Sequence, residues 1–167
     1  MNDVKKIIEK LGLEPHPEGG YYKQTYKSQG SISSNCLPEN FDGTRTYSTC
    51  IYFMLTSSSF SAFHRIQQDE IWHFYDGSPI RLHVISPEGK YQETIIGRDV
   101  LSGQHPQVVV PAGHWFAAEI PENNAYALVG CTVSPGFEFE DFELANQESL
   151  IALFPVYVDL IRRLTRL

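Results

Sequence analysis

The apolar positions of this chain change their period along its length. Val4, Ile7, Ile8 and Leu11 recur at three- and four-residue intervals, the spacing that gathers side chains on one face of a helix, and Gly12 stands where that helix would stop. Beyond Pro15, Pro17, Gly19 and Gly20 the pattern becomes that of strands. Runs rich in β-branched and aromatic residues occur at Tyr21–Tyr26, Thr46–Thr56, Phe60–Ile66, Glu70–Gly77, Ile80–Gly89, Tyr91–Gly97, Val108–Gly113, Trp115–Ile120 and Tyr126–Pro135. Turn residues separate them, as at Ser86-Pro87-Glu88-Gly89 and Pro121-Glu122-Asn123-Asn124. Residues 28–44, rich in Ser, Asn, Pro and Gly, form one long loop. Helical spacing returns at the end: Asn146 can cap a helix through Leu150 and Phe154, Pro155 stops it, and Val156, Leu160, Ile161 and Leu164 resume it. Many short strands with helices only at the ends predict an all-β sandwich or barrel carrying those helices outside.

Composition narrows the function. A chain of 167 residues is a one-domain length that buries roughly 70% of its unfolded surface. Thirteen basic against twenty acidic residues give a formal charge of -7, the wrong sign for a nucleic-acid partner. Arg162, Arg163 and Arg166 near the C-terminus are read as structural, complementing a helix end. No apolar run reaches the roughly 18 residues needed to span a bilayer, so no membrane association and a soluble, cytoplasmic protein are expected. Cys36, Cys50 and Cys131 are odd in number and lack paired spacing, which argues against a disulfide framework or a zinc knuckle.

Within the segment Phe63–Gly77, His64 and Ile66 lie two apart, Glu70 follows four later, and Gly77 closes a turn. Residues two apart on a strand share a face, so His64, Ile66, Glu70, Trp72 and Phe74 are expected to face inward, with His73 and Tyr75 on the other side. The spacing resembles the first cupin motif, H-x-H-x3-E-x6-G, with Ile66 at the second His position. The second motif, P-x-G-x2-H-x3-N, is recognisable at Pro111-Ala112-Gly113, with Phe116 at its ligand position and Ile120 at its Asn position. Four separated segments extend the likeness: Leu13–Tyr22, His64–Arg65 with Asp69–Phe74, Val110–Gly113 with Trp115–Ala118, and Leu128–Phe137 with Phe139–Glu143. On these the chain resembles the DUF985 or Cupin_5 family of the RmlC-like cupin superfamily. The resemblance implies a cupin double-stranded β-helix (jelly-roll barrel) over the single domain 1–167, with a barrel core from about 20 to 137. It also implies a homodimer, and a shape similar to dTDP-sugar epimerases and germin-like proteins.

Of the four positions that hold metal in a cupin, only His64 and Glu70 keep a donor, and even catalytic zinc keeps three protein ligands. No cofactor is therefore expected. A divalent metal held by His64 and Glu70 with help from His114 or His105 is the least favoured reading. His64 and Glu70 are instead the candidate catalytic pair, a carboxyl and an imidazole whose pKa values desolvation and mutual charge would shift. The structural alternative is a buried ion pair or hydrogen bond between them. Tyr52, Trp72, Phe74, Gln107, Trp115 and Phe116 are the candidate substrate-binding residues, around a cavity suited to a small polar metabolite of the sugar or nucleotide-sugar class. His16 and Glu18 are candidates for lining a pocket or a dimer seam, and His83 reads as a strand-surface residue. Two functions follow: an isomerase or epimerase working by acid–base chemistry, or a binding module without turnover.

Overall fold

The computed structural model describes residues 2–166. An N-terminal helix, α1 (Asn2–Leu11), precedes the strands β1 (Glu14–Pro15), β2 (Tyr21–Lys27), β3 (Ser31–Ile32), β4 (Arg45–Thr46), β5 (Thr49–Thr56), β6 (Ser61–Ile66) and β7 (Asp69–Gly77). There follow β8 (Ile80–Ile85), β9 (Tyr91–Ile96), β10 (Gln107–Val110), β11 (Trp115–Glu119), β12 (Tyr126–Ser134) and β13 (Phe142–Leu144), then the helices α2 (Gln147–Leu153) and α3 (Val158–Arg163). Among the described residues no helix is long and apolar enough to cross a membrane.

Two antiparallel sheets face each other. One runs β1-β2-β5-β12-β7-β10 and the other β13-β6-β11-β8-β9, while β3 and β4 make a small ladder of their own. Between the sheets Phe53, Leu55, Trp72 and Val129 of the first meet Ile80, Leu82, Phe116 and Ala118 of the second. Burying each large apolar side chain in such a layer contributes about 1.5–3 kcal/mol. The period of two decides which side chains take part. Along β11, Phe116 and Ala118 enter this core, whereas Trp115 and Ala117 point to the opposite face, where Phe63, Ile85, Leu150, Ile161 and Leu164 form a second core.

The C-terminal helices thus cover the outer face of the five-stranded sheet. Asn146 caps α2 through its side chain, which accepts from the Ser149 amide. The chain is also stitched to β6 directly, Phe63 donating to the Leu164 carbonyl at 2.7 Å and Ala145 to that of Phe63 at 2.9 Å. This cover overturns the surface reading of His83, which is 1% exposed and lies between Tyr91 Oη at 2.8 Å and Glu119 Oε1 at 3.2 Å. Arg163 of α3 holds the same Glu119, and that contact accords with the structural reading of the C-terminal arginines.

Candidate functional site

Glu18 reaches the interior because of a tight turn. In His16-Pro17-Glu18-Gly19 the Gly19 amide donates to the His16 carbonyl at 3.0 Å, with Pro17 where its fixed φ favours the turn. Gly19 has a φ of +116°, and a Cβ there would stand 2.2 Å from both the Phe60 carbonyl oxygen and the Arg166 guanidinium, so only glycine fits. The Ala62 amide and Arg166 Nε then clamp the Glu18 carbonyl from behind, at 2.8 and 3.2 Å. The turn becomes a rigid arm that carries a carboxyl between the sheets.

There it meets two imidazoles. His64 Nε2 lies 3.0 Å and His16 Nδ1 lies 3.3 Å from the same oxygen, Glu18 Oε2. The tautomers follow from the remaining contacts. His64 Nδ1 sits 2.7 Å from the Ala62 carbonyl, which can only accept, so Nδ1 carries its hydrogen and neutral Nε2 presents a lone pair. His16 Nδ1 accepts the Glu18 amide at 3.3 Å, so it too presents a lone pair. Ser61 Oγ donates to Glu18 Oε1 at 2.7 Å, which marks Oε1 as the carbonyl-like oxygen. Both ring nitrogens thus lie against Oε2, that of His16 while accepting the Glu18 amide. Burial lowers His64 to about 3 and His16 to about 4, and it raises Glu18 well above the usual carboxyl range. Burial thus favours the neutral forms of Glu18 and of His64, 3.0 Å apart, over a charged pair.

Glu70 occupies the same cavity on β7. Burial raises its pKa to about 7, against the opposing influence of the Cys131 thiol and the Trp72 indole. The indole Nε1 is close enough to favour the carboxylate but falls outside hydrogen-bond geometry, and among the described residues it has no other partner. Cys131 is buried beside Glu70, and desolvation keeps its thiol protonated. The cavity measures about 240 Å³. Its lining includes His16, Glu18, His64, Glu70, Trp72 and Cys131, with further rings toward the mouth.

Most of the predicted inward set is where strand parity put it. His64, Ile66, Glu70 and Trp72 line the cavity, Phe74 packs against the inner core, and Phe116 lies tilted against the His64 ring with centroids 4.0 Å apart. His64, however, pairs with Glu18 and not with Glu70. Of the six expected binding residues only Trp72 lines the cavity; Phe74 and Phe116 belong to the core beside it, and three lie elsewhere. Tyr52 falls on the outer face of the six-stranded sheet against Tyr75, at 6.1 Å between ring centroids, because Ile51 and Phe53 take the inward positions of β5. Gln107 pairs with His73 on the edge strand β10 and is exposed. Trp115 belongs to the second core, under the Arg65 guanidinium at 4.6 Å. The residue that sequence reasoning underrated is Glu18, and its signal was a charged side chain set in a turn that two glycines force tight.

A family model described as Cupin superfamily (DUF985) matches residues 5–145. The chain belongs to this cupin family. It is 30% identical over 156 residues to an uncharacterised protein of Saccharomyces cerevisiae, covering 88% of this chain and 77% of that one. Among solved structures it is similar to a protein of Shewanella oneidensis, 38% identical with a TM-score of 0.86 over 98% of this chain and 97% of the other. A hypothetical protein from Leishmania major is 33% identical with a TM-score of 0.89, covering 98% and 99%. A variant of the oxalate decarboxylase of Bacillus subtilis, 16% identical with a TM-score of 0.54 over 90% of this chain and 36% of its own, shares the fold alone.

The cupin fold raises the question of a metal, and the donor chemistry answers it. Ile66 and Phe116, both buried, have no lone pair to offer at two ligand positions, while His64 Nε2 and Glu18 Oε2 are turned to each other. His105 is exposed and His114 faces the Ala112 carbonyl, so neither completes a shell around His64 and Glu70. Among the described residues no three His, Cys, Asp or Glu side chains are grouped to hold a metal ion.

Proposed function

We propose that this cupin binds a small polar metabolite of the sugar class between its sheets and moves protons on it, as an isomerase or epimerase. The observation that supports this most is the presence of two buried carboxyl groups in different states within one cavity: Glu18 pushed well above the carboxyl range, 3.0 Å from His64, and Glu70 raised to about 7. Environments that separate the pKa values of two titratable groups assign an acid and a base. Glu70 in its carboxylate form takes a proton from the carbon beside a carbonyl. Glu18, backed by His64, gives its proton to the carbonyl oxygen, and an enediol results. Glu70 then gives its proton to the former carbonyl carbon while the neighbouring enediol hydroxyl returns a proton to Glu18, which yields the isomer. An epimer results if water protonates the first carbon from the opposite face while the new hydroxyl returns its proton to Glu18 and Glu70 loses its own to solvent.

Size and charge refine the substrate. About 240 Å³ lies just below the roughly 300–1,000 Å³ of drug-sized sites, which suits a monosaccharide better than a nucleotide-sugar. Among the described residues no Lys or Arg lines the cavity to receive a phosphate. A binding module without turnover is the second reading, favoured by the closure of Glu18 with Ser61, His16 and His64 into a satisfied set.

Proton exchange separates the two. With small aldoses and ketoses in deuterated water, nuclear magnetic resonance should show loss of the hydrogen beside the carbonyl, and Glu70→Gln should slow it about 10²- to 10⁴-fold. Exchange at an unchanged rate in Glu70→Gln would sink the mechanism, and no exchange with any sugar would leave the binding module.

A further inference from the structure

The lining also carries information about ligand charge, on the premise that this cavity is the working site. Six rings contribute to it: Tyr22, Phe53, Trp72, Phe137, Phe139 and Phe142. Among the described residues it is lined by the carboxyls of Glu18, Glu70 and Glu138, the imidazoles of His16 and His64, the Cys131 thiol and the Tyr22 phenol, with no ammonium or guanidinium. The cations close by are already committed. Lys27 holds Glu138 at the mouth, and Arg166 approaches Glu18 from the far side of the turn, bound to backbone carbonyls. An anion placed here would lose its hydration, meet the negative faces of the rings and oppose Glu70. A cation meets both favourably, since ring faces attract ammonium groups by about 0.5 to 2 kcal/mol, most strongly when desolvated.

A second feature restricts the class. The Trp72 indole lines the cavity, the residue is 1% exposed, and its Nε1 has no partner among the described residues. A buried donor left unpaired costs about 1–3 kcal/mol, and a ligand oxygen beside Glu70 would satisfy it. We infer that the cavity selects a small organic cation that also carries a hydroxyl or carbonyl oxygen, the chemistry of amino sugars and amino alcohols. The ammonium lies among the rings and near Glu70, and the oxygen accepts from Trp72.

Calorimetric titration of the full chain with glucosamine, choline, glucose and glucose 6-phosphate tests this. Glucosamine, as its ammonium form, should bind roughly tenfold tighter than glucose, a difference of about 1.4 kcal/mol. Phe139→Ala, at a half-exposed ring of the mouth, should weaken both cations several-fold and by a larger factor than it weakens glucose. Glucose or its phosphate binding as tightly as glucosamine, or no binding by either cation, overturns the inference. Cation preference without proton exchange on any sugar keeps the ligand class and sinks the proposed chemistry, whereas exchange on a neutral sugar without cation preference does the reverse.

Discussion

Two buried polar clusters flank the cavity, and they have opposite characters. Arg45 and Asp141, 2% and 3% exposed, form a bidentate pair at 2.8 and 2.7 Å, and Gln68 adds a bond to Asp141 at 2.7 Å. The Asp141 hydrogen bonds raise Arg45, while the Arg45 and Gln68 bonds overcome burial and hold Asp141 below its usual value. Both members stay charged. In the cluster of His16, Glu18, His64 and Glu70 no fixed cation among the described residues matches the carboxyls, and desolvation drives every member toward its neutral form. A matched pair far from its titration points holds structure, here tying β4 to the segment before β13. An unmatched group with a pKa near neutrality can give and take protons.

The largest test of that contrast is Arg45→Met, which leaves Asp141 charged and alone in the interior. A loss of about 3–5 kcal/mol in denaturant unfolding is expected, and combining it with Asp141→Leu should recover most of it. A loss below about 1 kcal/mol in the single variant would place Arg45 among ordinary surface pairs.

The second test uses pH. Glu70 has a folded pKa of about 7 against an ordinary 4.5, so its proton favours the folded state fully below pH 4.5, and this stability is lost as pH rises through about 7. At about 1.4 kcal/mol per pKa unit the loss is on the order of 3 kcal/mol. His64 acts in the other direction, with its contribution present above 6.5 and lost as pH falls toward about 3. Melting temperature followed against pH should decline less between 4.5 and 7 in Glu70→Gln than in the wild type. An identical slope in both proteins would show that Glu70 titrates normally.

The smallest effect on stability is expected at Glu18. In Glu18→Gln the amide can still donate to His64 Nε2 and accept from Ser61, so unfolding should change by no more than about 1 kcal/mol. Proton exchange should nevertheless fall about 10²-fold or more. Equal losses of fold and exchange would reclassify Glu18 with Asp141.

Strand parity made half of the site legible. His64, Ile66, Glu70 and Trp72 alternate on runs whose turns are plain in the sequence, and the cavity lining agrees with them. Parity failed at Tyr52 because Thr49–Thr56 is apolar on both faces, and nothing local tells which of Ile51, Tyr52 or Phe53 points inward. It gave no help at His83 either, since a sheet face reads as solvent until distant helices are known to cover it.

The amino-acid sequence by itself determined the strand-rich fold, its terminal helices, the family and the inward direction of β6 and β7, because these depend on period, turn chemistry and local spacing. Only the tertiary structure decided that His64 meets Glu18. That contact joins a turn near the N-terminus to β6 across 46 residues and is locked from behind by Arg166 near the C-terminus. Such a contact, like the desolvation that sets its pKa values, exists only when segments far apart in the chain exclude water together.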